Sequence, residues 1–580
     1  MIMLPLKKIL RPVVLLLFWA CVSLIIYGII TGLPISIGAW SYRAKNLKGL
    51  SCLALVLWIL CLSAHPAGPR EGVLRFKASL EQALQKKAAI WILFLVYSVL
   101  FTWQQITEYL AIEINFLPFS FYDYMLYYFF HGKIHFTGWL HGYYHHNIIL
   151  FLFAPLWKLW QSPLLLITVY GALASACIFP LHAIARERFK EPLAPFCITL
   201  IFLNYRYLQN VMLMNFSAEI FYPLFVFTAV YFSMKRRWGL YYLFFILELL
   251  VKEDSFIYGV AVAVFTFFYR EEKASSEASR RWNGALSALL AVGYYVFLRK
   301  VYSPLIGSDI MYGNAANYAG YGGSFREIIL MFLGSPWKLV TEFFCSKLKA
   351  KVLSNILFRV AFLPLFSPAV ILMFVSLLPL FFHNTGRDND FIELRFYYAA
   401  AVLPFIFIAV VFGFSNLLKK IPAHRQELVR WIFLLIMIFL NIGHFRTEKI
   451  TAENLKSIAW AKSVPAGVLL THGHLLPYVG YREQNIYFAE PFMDSSHPAH
   501  MAYMTPDFIS IDLNVNFYPM DRSFFDRKIV ELKADPSFRL IRQDRDLRYL
   551  FQRVHSRTET LVSPGYKPLY ELAKDASSAQ

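Results

Sequence analysis

Charge is what this sequence has least of. Asp, Glu, Lys and Arg together make 16% of its 580 residues, against about 25% in a soluble domain. Apolar residues make 58% and aromatic residues 18%. That balance excludes an ordinary soluble chain and leaves a polytopic membrane protein. Acids are scarcer than bases, 37 against 56, for a net charge of +19. The excess is not a nucleic-acid patch. It sits in short loops, at Lys235-Arg-Arg237, Arg280-Arg281 and Lys419-Lys420, and nearly vanishes from about residue 444 onward. That is the positive-inside bias of cytoplasmic loops. Cysteine is scarce too: six residues, all in or beside apolar runs and none at metal-ligand spacing. Neither a disulfide framework nor a zinc site is expected. No repeat of fixed period is visible.

Where acids are few, each one stands out. Asp123 is the only acid between Glu113 and Glu187. It lies in an aromatic stretch, residues 119–132, followed by a polar cluster with His141, His145 and His146. The run 88–112 has spanning length, about 20 residues, and starts after Lys86-Lys87. Residues 113–147 then read as a first outer loop. Residues 164–185, 192–208, 216–234 and 284–302 continue the crossings, with basic loops on the inner side. The run 238–269 is too long for one crossing and is broken by Lys252-Glu-Asp254, which places that triplet at the outer tip of a hairpin. Spans at 397–418 and 430–443 precede a soluble tail, 444–580. There Val468-Leu-Leu-Thr, Asn485-Ile-Tyr-Phe and Phe508-Ile-Ser-Ile-Asp-Leu read as short strands of a small α/β domain. The expected fold is mainly α, with about 10–13 transmembrane helices. Its parts are an N-terminal extension (1–87), a transmembrane domain (88–443) and a C-terminal α/β domain on the extracytoplasmic side.

This topology gathers Asp123, His145, His146, Glu219 and Lys252-Glu-Asp254 on the outer face. Ionisable groups at a membrane are expensive and face a cavity or a partner. Two readings compete for Lys252. Glu248 stands four residues before it, the favourable order for a helical ion pair. Otherwise Lys252 is free to hold a substrate. Glu253 and Asp254 either serve the site or cap the next helix. Aromatic neighbours would desolvate Asp123 and raise its pKa, which suits a general base; pairing with a nearby Lys or Arg is the alternative. The surrounding aromatic residues also fit a membrane-interface belt.

Several segments, in order over about residues 115–515, carry a resemblance: Tyr-Asp123; His145-His-Asn with Ala-Pro155-Leu-Trp; Asn-Phe-Ser-Ala-Glu219; Val251-Lys-Glu-Asp254; Tyr318-Ala-Gly-Tyr-Gly-Gly-Ser324; Arg395-Phe-Tyr-Tyr; Ser463-Val-Pro-Ala-Gly-Val468; and Tyr481-Arg-Glu. The sequence resembles the membrane-protein family called domain of unknown function 2079. The first 85 or so residues extend beyond its pattern. The family tends to carry a histidine two residues before the glutamate, where Ser217 stands here, and that takes a partner from any metal site at Glu219.

The family's layout is similar to the GT-C glycosyltransferases, which take a sugar from a polyprenyl-phosphate carrier at the outer face. The resemblance implies Asp123 and Glu219 as catalytic residues. It implies His145, His146, Lys252, Glu253, Asp254, Arg395 and Tyr397 as substrate-binding residues. No protein-held metal is expected, although a divalent cation is compatible with the chemistry. The implied partners are the bilayer of a bacterial plasma membrane, a polyprenyl-phosphate-sugar donor and an acceptor that the residues do not specify. A transporter or lipid flippase with a polar outer cavity is the alternative, and a non-catalytic envelope scaffold a third.

Overall fold

A computed structural model describes residues 69–114, 116–130, 147–269, 277–302, 335–382, 392–442, 445–480, 485–489 and 503–554, with short pieces before residue 58 and around 327–334. Two of those pieces, β1 (Ile35–Ile37) and β2 (Trp40–Tyr42), pair antiparallel. The protein is mainly helical. Its first helices are α1 (Pro69–Gln85), α2 (Lys87–Leu110), α3 (Phe116–Phe130), α4 (Ala154–Leu159), α5 (Pro163–Ala176) and α6 (Ile178–Arg188). Then come α7 (Leu193–Asn204), α8 (Arg206–Met212), α9 (Phe221–Met234), α10 (Trp238–Leu249), α11 (Ser255–Phe268) and α12 (Glu277–Phe297). The helical part ends with α13 (Pro336–Phe344), α14 (Lys347–Arg359), α15 (Val370–Phe381), α16 (Leu403–Lys420) and α17 (Ala423–Asn441).

Among the described residues, four helical stretches are long and apolar enough to cross a membrane: Lys87–Leu110, Pro163–Arg188, Glu277–Tyr302 and Phe396–Lys420. The last is mostly buried inside the protein. It is the central helix, against which α6, α9 and α15 pack. Other apolar helices are shorter. The arms of the hairpin, α10 and α11, have 12 and 14 residues, or about 18 and 21 Å at 1.5 Å per residue. Both fall short of the roughly 30 Å hydrocarbon thickness. The break expected at Lys252-Glu-Asp254 is present, since α10 stops at Leu249 and α11 starts at Ser255. Its tip is enclosed by protein, with Lys252 and Glu253 both buried.

The strands read at 468–471, 485–488 and 508–513 are present as β3 (Leu469–Thr471), β4 (Asn485–Tyr487) and β5 (Phe508–Asp512). Two further strands were not foreseen, β6 (Phe538–Asp544) and β7 (Arg548–Arg553). The sheet order is β4-β3-β5-β7-β6, parallel on the first side and antiparallel on the second. Helices α18 (Ala452–Lys462) and α19 (Arg522–Ala534) accompany it. A separate apolar core, with Leu470, Ile486, Ile511, Phe525 and Phe551, sits between the sheet and α19.

Two polar devices hold this region. Arg548 is buried and donates to Asp512 at 2.9 Å, Asp544 at 2.6 Å, and Glu453 of α18 at 2.9 Å. It therefore ties β7 to β5 and to α18. His472 is buried, and its Nε2 accepts the Asp512 backbone N–H at 3.1 Å. A ring nitrogen that accepts cannot also carry a proton, and burial pushes His472 down to about 3. The unfolded chain, with an ordinary value near 6.5, binds that proton better. The stability contribution is therefore complete above about pH 6.5 and is lost as pH falls toward 3. Going from pH 7 to 5 is expected to cost about 2 kcal/mol. Hydrogen exchange at β3 and β5 of the full chain, corrected for intrinsic rates, reads this loss. Unchanged protection at pH 5 would refute it.

Candidate functional site

Four segments meet at the tip of the α10–α11 hairpin. Asn147 and Ile149 pin it from one side: the Asn147 side-chain amide donates to the Val251 carbonyl at 2.8 Å, and the Ile149 N–H to the Leu250 carbonyl at 2.9 Å. Ser255 closes the turn by accepting the Lys252 N–H at 3.0 Å. The Lys252 side chain then points to Glu219, with Nζ 2.8 Å from Oε1. Its ammonium also lies over the Tyr397 ring, 5.2 Å from the centroid. Tyr222, one turn after Glu219, donates to Asp254 at 2.7 Å and lies 2.9 Å from the Ser255 hydroxyl. The hairpin tip and the start of α9 are thus joined by an ion pair and a phenol.

The loop carrying Glu219 is fixed at both ends. Asn215 has φ of 61°, a left-handed conformation that Asn tolerates better than most residues. Its amide donates to Glu108 of α2 at 2.9 Å. Ser217, standing where the family tends to have histidine, hydrogen-bonds Glu219 itself. Tyr122 hydrogen-bonds Ser217 and the backbone of Ala218. Tyr122 precedes Asp123, so α3 lies against the Glu219 loop. One oxygen of Asp123 accepts the Trp157 indole N–H at 3.1 Å. Tyr124 reaches the other way, donating to the Gly480 carbonyl at 2.8 Å and accepting from Asn485. Tyr478 caps α2 through the Tyr109 carbonyl. The sheet region is therefore docked on α2 and α3, directly beside Asp123.

The structure brings together Glu219, Lys252, Tyr397 and Asp254, with Glu253 buried next to them. Asp123 joins through Tyr122. It stands within the helix Phe116–Phe130, not in the loop expected for it. Arg395 is more than half exposed and pairs with Glu393 at 2.7 Å. His145 and His146 lie outside the described residues. The local Glu248–Lys252 pair does not form. The α-helix ends at Leu249, so the one-turn spacing is lost, and both Glu248 carboxyl oxygens are buried without a hydrogen-bond partner.

Two contributors escaped the sequence reading, Glu108 and Tyr222, and Trp157 entered it only as part of the Ala-Pro155-Leu-Trp segment. Glu108 sits in an apolar stretch that reads as a span, and Tyr222 has the look of one more belt aromatic. Among the described residues, no three His, Cys, Asp or Glu side chains are placed to hold a metal ion. Chemically, the site offers one buried cation, several carboxylates and aromatic walls.

Residues 114–476 match the family model described as predicted membrane protein (DUF2079). No curated protein matches the chain. Among solved structures, the arabinofuranosyltransferase AftD from Mycobacteria aligns with 10% identity and a TM-score of 0.39. The alignment covers 70% of this chain and 35% of that one, so this chain spans about a third of its length. A likeness that loose assigns neither fold nor activity.

Proposed function

The chain belongs to the DUF2079 family of predicted membrane proteins, and we propose that it is a GT-C-like glycosyltransferase. Its donor would be a sugar on a polyprenyl phosphate, used at the extracytoplasmic face. One observation carries this reading: a buried lysine, Lys252, is held 2.8 Å from Glu219 on the loop that also seats Asp123. A buried ammonium, held in place by a carboxylate, can meet an anionic phosphate as a point charge. In the reaction, Asp123 takes the proton of the acceptor hydroxyl. The acceptor oxygen bonds the anomeric carbon as the bond from that carbon to the phosphate oxygen breaks. The polyprenyl phosphate leaves with the electron pair, next to Lys252. Glu219 keeps Lys252 charged and oriented until the phosphate arrives. Tyr397, under the Lys252 ammonium, and Asp254, held by Tyr222, stand at the same turn. No step runs through a metal ion.

A transporter is the second reading, favoured by the shortness of α10 and α11. Broken, short helices with buried charge are how transporters bind substrate. One assay separates the two. Purified protein in bilayer nanodiscs is given polyprenyl-phosphate sugars and a soluble acceptor, and the same protein in vesicles is tested for lipid translocation. Transfer without translocation supports the enzyme. Translocation of the intact donor without sugar transfer sinks it. A cysteine at position 254 should react only with reagent added from the outside; labelling only from the cytoplasmic side would remove the outer-face placement.

A further inference from the structure

The end of α11 opposite Lys252 holds a second charged cluster. Tyr269 follows the last residue of α11, about 21 Å along the helix from Ser255. Two guanidinium groups flank its ring: Arg188 at 5.3 Å and Arg280 at 5.6 Å from the centroid. Arg188 also lies over Phe412 at 4.2 Å. Contact with a ring face attracts a guanidinium but satisfies none of its in-plane N–H donors. Arg280 is 2% exposed, and its Nε and Nη1 are buried without an acceptor. The Nε of Arg188 is in the same condition. Buried donors of a charged group are rarely left unmet.

Space is available where those donors lie. A cavity of about 240 Å³ is lined by Phe267, Phe268, Tyr269, Glu277, Arg280 and Arg281. Among the described residues that line it, the one acid, Glu277, is paired with Arg281 at 2.9 Å. The wall is fixed by Gly284, one turn after Arg280. A Cβ there would come within 2.8 Å of the Phe267 backbone, so only glycine lets α12 lie against α11 and set Arg280 beside Tyr269. Lys235 and Glu187 pair nearby in sequence to Arg188, at 2.7 Å. The basic loops at this end are those that the charge bias places at the cytoplasmic leaflet, where anionic lipids gather.

We propose that this pocket is a phosphate-binding site, filled by the headgroup of an anionic phospholipid, with Arg280 as the buried fork for two phosphate oxygens. Guanidinium geometry suits bidentate phosphate contacts. The site is separate from the Lys252 cluster and does not depend on its function.

The test uses the full chain, purified and depleted of lipid in neutral detergent. Three probes are titrated: phosphatidylglycerol, phosphatidylcholine and inorganic phosphate. Native mass spectrometry counts bound lipid, and the unfolding midpoint reports stabilisation. Phosphatidylglycerol should bind and raise the midpoint, and phosphatidylcholine should not. Arg280→Ala should weaken that binding by roughly tenfold or more, and Arg280→Lys should recover only part of it. If Arg280→Ala does not fold, Arg280→Gln, which keeps donors without charge, takes its place. Equal protection by inorganic phosphate would identify a soluble phosphate compound as the occupant and leave the site intact. Unchanged phosphatidylglycerol binding in the Arg280 variants, or protection by none of the probes, would overturn the proposal.

Discussion

Asp123→Asn is expected to lower glycosyl transfer by about 10²–10⁴-fold while the protein folds as before. The amide has nearly the shape of the carboxylate and still offers an oxygen to the Trp157 N–H, now at 3.1 Å. What it cannot do is take a proton. Initial rates at saturating lipid-linked donor, with size exclusion on the same sample, separate chemistry from folding. The rival account is that Asp123 exists to satisfy the buried indole of Trp157. Under that account the amide variant keeps its full rate, and only Asp123→Leu, which strands the indole donor, is damaging. A full rate for Asp123→Asn with loss of stability for Asp123→Leu would remove Asp123 from the mechanism.

The elements that were legible were those set by one local pattern. The run 238–269 carries three adjacent charges at Lys252-Glu-Asp254, where it had to turn, and it does. The three strands of the parallel side carry β-branched or aromatic residues between turn signals, and all three formed. The hairpin of β6 and β7 hid for the opposite reason. Its first strand, Phe538-Arg-Leu-Ile-Arg-Gln-Asp544, carries three charges among seven residues, and none of its positions is fully buried. Arg548, in a stretch rich in charge, is the buried tie of the sheet.

Partner choice at the site was the harder matter. Glu248 satisfies the spacing rule for Lys252, but that rule assumes an unbroken helix. The α-helix ends at Leu249, and the carboxylate that Lys252 meets lies 33 residues away in sequence. Likewise, the aromatic stretch around Asp123 has no helical polar period, because both faces are covered: Tyr122 by the Glu219 loop and Tyr124 by Gly480 and Asn485. A helix buried on several sides loses the amphipathic signature by which helices are read. Glu108 was invisible for a related reason, since a single acid near the end of a spanning helix ordinarily marks the interface. Its role depends on Asn215, 107 residues on.

Replacing Lys252 by methionine is expected to destabilise the protein by about 3–5 kcal/mol, the usual consequence of leaving one member of a buried ion pair without its partner. Glu219 is 4% exposed, so water does not compensate its charge, and the Ser217 hydroxyl that also hydrogen-bonds it is neutral. The double variant Glu219→Gln/Lys252→Met should recover most of that loss, because a neutral pair of similar volume has no charge to desolvate. The four proteins form a double-mutant cycle, read from unfolding midpoints in one detergent, whose coupling term isolates the pair. Activity divides the interpretations where stability does not. If Lys252 only holds the Glu219 loop in place, the refolded double variant regains transfer. If its ammonium meets the donor phosphate, the double variant is stable and still inactive, with the deficit appearing at every donor concentration tested. A stable, active double variant would confine Lys252 to structure and leave the phosphate without a binding group at this turn.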